Sequence, residues 1–122
     1  MAINPNRLAG IAYISVDGQS YMLAADLAYS VSTVSRESLI GQDTVHGYSE
    51  KPSVGYIHAT LRDSGSLSLA QINAWTNVTV VCELANGKTV IGRNMWITEV
   101  QEVKTTEGSF EVKFEAVNVE EA

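Results

Sequence analysis

The sequence predicts a mainly β domain: two packed antiparallel sheets, as a sandwich or a partly closed barrel, with one short flanking α-helix. Three observations carry this. Most apolar segments alternate with small or polar residues at period two, turn dipeptides such as Asp17-Gly18 and Asn86-Gly87 stand between them, and helix signals replace the alternation only around residues 67–76. At 122 residues the chain fits one domain that buries roughly two thirds of its unfolded surface.

The first unit, "GIAYISVDGQSYML", alternates up to Val16, turns at Asp17-Gly18 and returns over residues 19–23, which reads as a hairpin. "AYSVSTVSRES" follows as a strand with a Ser/Thr-rich face. Val54, Tyr56, His58 and Thr60 alternate with small or apolar residues in the next strand, over 54–62. In "SLSLAQINAWT", Ser68 and Gln71 have the spacing of a capping box and Leu67 and Ile72 that of a hydrophobic staple. Leu69, Ile72 and Trp75 share a face of what should be a helix of about two turns. "NVTVVCELANGKTVIGRNMWITEV" holds two β-rich runs around Asn86-Gly87, the dipeptide preferred in type I′ hairpins. After a turn near residues 105–108, a last strand runs over 109–117, giving six or seven strands in all.

One stretch fits no period. Residues 41–52, "GQDTVHGYSEKP", follow neither helix nor strand alternation, whereas most connections in compact domains are about 4 to 6 residues long. Val45, Tyr48 and Pro52 are spaced through it, a composition that favours contact over plain disorder.

Composition excludes several classes of function. Fourteen acids against eight bases leave a net charge of −6, which argues against a protein that holds nucleic acid through its phosphates. No apolar run approaches the roughly 18 residues of a membrane span, and the start "MAINPNRLAG" lacks a signal-peptide core, so cytosol-like conditions and no membrane insertion are expected. Cys82 is the single cysteine and shares a face with Val78, Val80 and Leu84, which reads as a buried, reduced thiol rather than a nucleophile. His46, His58 and Cys82 match no zinc spacing, and no nucleophile-elbow or phosphate-cradle string occurs. Neither catalytic residues nor a metal or other cofactor is expected.

The acids are unevenly spread. Glu99, Glu102, Glu107, Glu111, Glu115, Glu120 and Glu121, half of the total, lie in the last fifth of the chain against Lys104 and Lys113. In the final strand Phe110, Val112, Phe114 and Ala116 take one face while Glu111, Lys113 and Glu115 take the other. Strands this apolar on one side, with little Pro or Lys to block pairing, also pose an edge problem that closure or assembly solves.

The segments "NRLAGIAYISVDGQSYML", "STVSRESLIGQDTVHGYSEKPSVGYIHATLRD", "CELANGKTVIGRNMWI" and "EGSFEVKFEA" resemble successive parts of the tail tube proteins of Mu-like, contractile-tailed bacteriophages. The likeness covers almost the whole chain, and "GQDTVHGYSEKPSVGYI" is its most specific part. It implies two packed sheets with one flanking helix, as a single tail tube domain over 1–122 with a long irregular assembly loop at about 40–53. It also implies hexameric rings stacked into a hollow tube around a tape measure protein, enclosed by a tail sheath protein and joined to baseplate and tail terminator proteins. Such a tube forms in the host cytoplasm, resides in the virion and conducts phage DNA without binding it specifically.

On that resemblance Gly41, Gln42, Asp43, Val45, His46, Gly47, Tyr48, Glu50 and Pro52 are the expected subunit and ring interface, with Glu111 and Glu115 the candidate lumen-facing acids. Six chains at −6 would carry about −36, repelling DNA over a Debye length of about 8 Å. Two alternatives share parts of this reading: the inner tube of another contractile injection system, and a monomeric β-barrel binding module using Trp75, Trp96 and the tyrosines.

Overall fold

The computed structural model describes residues 6, 7, 9–63, 65, 68–98 and 102–122, with only the backbone of residues 25 and 26. Among the described residues, eleven strands and one helix lie in this order: β1 (Tyr13–Val16), β2 (Gln19–Tyr21), β3 (Leu23–Ser30), β4 (Thr33–Ile40), β5 (Val45–Ser53), β6 (Gly55–Arg62), α1 (Leu69–Asn73), β7 (Val78–Glu83), β8 (Thr89–Thr98), β9 (Val103–Lys104), β10 (Ser109–Ala116) and β11 (Asn118–Glu121). The fold is mainly β, as expected from the alternation.

One sheet runs β2-β1-β7-β8-β10-β6-β3, with β11 added on β8 and β9 on β10, while β4 and β5 pair only with each other. All pairs are antiparallel. The large sheet curls because β8 serves two parts of it. Its first half pairs with β7 and β11, and its last residues pair with β10 through Thr98↔Lys113 and Trp96↔Glu115. Between these halves the β7 register slips, and Asn94 takes a positive φ of 55°, a conformation Asn tolerates better than most residues.

The inward positions of both parts form one core. β6 contributes Ile57, Ala59 and Leu61, and β10 contributes Phe110, Val112, Phe114 and Ala116. From the opposite wall come Ile14, Val80, Cys82, Val90 and Met95. Full burial of each large aliphatic or aromatic side chain contributes on the order of 1.5–3 kcal/mol. Trp75, just beyond the helix, stacks on Phe114 at 5.8 Å and lies 5.8 Å from Tyr21, so it packs on the core rather than lining a ligand site.

Several expectations change in detail. Bends near Met22, residues 31–32 and Val117 divide runs that alternate continuously in sequence, which raises the strand number and splits the predicted strand over 28–38 into β3 and β4. The helix spans five residues, little more than one turn. The backbone N–H of Gln71 donates to Ser68 Oγ at 3.1 Å, and Ile72 is buried. The staple partner Leu67 lies outside the described residues, as does Glu99. Asp17 and Gly18 both have positive φ, as the first hairpin requires. At the second, only Gly87 does: Leu84 donates to Lys88 at 2.9 Å and Gly87 to Leu84 at 3.1 Å, closing a three-residue loop in place of a type I′ turn.

The largest correction concerns residues 41–52. They are not an irregular loop: a turn closed by Gly41 N–H donating to Thr44 O at 2.9 Å leads into strand β5, which pairs with β4 over the full hairpin. Alternation fails as a signal there because Leu39 opposes Gly47 while Ile40 opposes Val45, so His46 is a bulged extra residue. Gly47 takes φ 140°, which suits glycine, and Gly and Pro are both rare inside strands.

Candidate functional site

The β4–β5 hairpin, about 25 Å long at strand rise, stands clear of the core. From Thr33 to Pro52 almost every residue is exposed. Its root is fixed at Ser32, whose N–H donates to Val119 O at 3.0 Å and whose Oγ accepts from Val119 N–H at 2.9 Å. Gly55 passes beneath this joint, where a Cβ would stand 2.7 Å from Ser32 Oγ and 2.8 Å from Val119.

Near the tip, the His46 ring lies over Gly41 so closely that a Cβ there would overlap it, and His46 Nε2 is 2.8 Å from Asp43 Oδ1. That hydrogen bond, followed by backbone N–H donors, holds the Asp43 carboxyl below its ordinary range. Gln42 is exposed in the same turn. Further down, Arg36 pairs with Glu50 at 3.2 Å and lies over the Tyr48 ring at 5.6 Å. All nine hairpin residues expected to matter are thus in one element, and Arg36 and Ile40, which sequence reasoning passed over, are their cross-strand neighbours. The signal for them was the alternation Val34, Arg36, Ser38, Ile40 leading into a turn.

Glu111 and Glu115 share the outer face of β10 with Lys113, opposite Thr60, Tyr56 and His58 of β6. Lys113 Nζ lies 5.0 Å over the ring of Tyr56, the residue opposite Glu115 on β6. The terminal acids are engaged. Glu120 is paired with Arg93. Glu121 meets Lys88 at 2.8 Å and accepts from Tyr29 Oη at 2.6 Å, bonds that hold its carboxyl below the usual range, Lys88 first. Only part of the acidic C-terminal region therefore presents uncompensated charge.

Cys82 is buried, and desolvation pushes its thiol up to about 12. Among the described residues no group of His, Cys, Asp and Glu is placed to hold a metal, and no helix is long and apolar enough to cross a membrane.

The described residues thus form a curled β sheet from which one two-stranded arm projects with both faces exposed. The profile of the phage tail tube protein family matches residues 5–121, and the chain belongs to that family. A tail tube protein of Escherichia phage Mu is 28% identical over 91 residues, covering 75% of this chain and 76% of its own. Members of the family are structural components of the virion tail, not enzymes.

Proposed function

We propose that this chain polymerises as hexameric rings stacked into the hollow inner tube of a contractile phage tail, with the β4–β5 hairpin as the arm that joins neighbouring subunits. The observation that carries this reading is the hairpin itself. A lone two-stranded sheet is marginal in water and needs a further layer, yet this one keeps both faces exposed within its own chain. The tube surrounds a tape measure protein, sits inside the sheath, ends at baseplate and tail terminator proteins and passes DNA. Glu111 and Glu115 are the acids we assign to its wall, where like charge keeps the phosphate backbone off the surface.

Negative-stain microscopy of the purified chain tests this. Hollow tubes are expected from the full chain, and a variant with residues 34–52 replaced by a short Gly/Ser linker should remain a cooperatively folded β-rich monomer without forming them. Normal tubes from the linker variant would remove the hairpin from assembly.

A further inference from the structure

We propose that the hairpin of one copy docks into an apolar groove on a second copy, using the face that carries Ile40, Val45 and Tyr48. The groove, of about 490 Å3, lies between residues 9–12, the first half of β3 and the β7–β8 turn. Ile11, Leu23, Leu27, Leu84 and Ala85 line it, with Asn86 at its rim. This rests on the assembly role of the hairpin and adds which face is buried, and where.

Directly opposite residues of an antiparallel pair share a face, so the hairpin has two unlike sides. One carries Val34/Pro52, Arg36/Glu50, Ser38/Tyr48 and Ile40/Val45; the other carries Thr33/Ser53, Ser35/Lys51, Glu37/Ser49 and Leu39/Gly47. The bulge at His46 creates this division. In a regular strand Val45 and Tyr48, three residues apart, would point to opposite sides, and the extra residue brings Val45 round to join Ile40 and Tyr48. These three are 62%, 76% and 59% exposed, an apolar knob that its own chain leaves uncovered.

Charge favours the same face. Copies of a chain at −6 repel one another, and a buried charge is tolerated only when paired. The charges on the knob face, Arg36 and Glu50, neutralise each other at 3.2 Å, whereas Glu37 and Lys51 on the other side have no ion-pair partner among the described residues. Strand addition along the β5 edge is blunted by Pro52, which lacks an N–H, and by the bulge.

The wall of the groove at Ala85 is pinned by Arg7 Nε, which donates to Ala85 O at 2.8 Å, and Ile11 stands exposed at its mouth. Knob and groove lie on different parts of one molecule, so each copy both gives and receives. Such a heterologous contact builds rings or filaments instead of a closed dimer.

Cysteine pairing in the full chain tests the proposal, since Cys82 is buried. Under mild oxidation the double variant Ile11→Cys/Val45→Cys should give a ladder of disulfide-linked multimers, while a mixture of the two single variants should stop at a linked dimer. Ile11→Asp and Tyr48→Asp should each lower tube yield at least tenfold with an unchanged thermal unfolding midpoint. Tubes from the double variant without cross-links, or normal yield from Ile11→Asp, would overturn the groove as receptor even if the hairpin remains the arm. Tubes from the hairpin-less variant would instead overturn the reading on which this one rests.

Discussion

Ser32 and Val119, 87 positions apart, are hydrogen-bonded in both directions, and this reciprocal joint fixes the projecting hairpin to β11. Val119 is buried, so its N–H depends on the Ser32 hydroxyl. Ser32→Ala should cost about 1–3 kcal/mol, the penalty of an unsatisfied donor. Urea unfolding and hydrogen exchange at Thr33 and Ser53 read the effect; an unchanged midpoint with protected amides would show that the joint does not anchor the hairpin.

The thiol of Cys82 is raised because burial disfavours the thiolate. With the folded value at about 12 and an exposed thiol at about 8.5, the stability from keeping it neutral is complete below pH about 8.5 and lost as pH rises toward 12. Native protein should therefore resist thiol reagents at pH 8 and label only on unfolding. Rapid labelling would contradict the position of Cys82 in β7.

At the hairpin tip the Asp43 carboxyl is held below its ordinary value by the hydrogen bond to His46. The contribution of a depressed carboxyl is present above the ordinary carboxylate range and disappears as pH falls through the folded value. A carbon-detected NMR titration should place the Asp43 midpoint below that of a model peptide, and His46→Ala should move it back up. An identical midpoint in both proteins would mean the pair does not form in solution.

Glu111 and Glu115, assigned to the tube wall, supply a test in the assembled particle. Replacing both with Gln should leave tube length and subunit stability unaltered while slowing DNA release, because Lys113 would then be the remaining charge on that face of β10. Wild-type release from fully assembled particles would place those residues elsewhere.

Much of the fold was legible because local chemistry and tertiary environment agree. Phe110, Val112, Phe114 and Ala116 alternate in sequence and are all buried, Asp17-Gly18 makes the turn its dipeptide favours, and Ser68 caps the helix that its spacing with Gln71 announces. The hairpin was harder to see for a physical reason. The extra residue at His46 shifts alternation by one, and Gly47 and Pro52 are residues strands usually avoid, so a fully paired strand looks irregular when read alone. The candidate site was legible as a set of residues but not as a surface. Arg36 becomes a neighbour of Tyr48 and Glu50 only once the register is known, and the Ser32–Val119 joint joins parts of the chain that no local window spans.

A hairpin anchored at one end and lacking a third layer also has a kinetic meaning. On the assembly reading, part of the cost of ordering it falls due when a neighbour is met, not when the subunit folds. The first few subunits gain few contacts against that cost, whereas later arrivals find receiving surfaces already set in place. Growth of the purified chain would then show a lag and a concentration threshold, both shortened by a preformed template, so that a starting structure would decide where each tube begins.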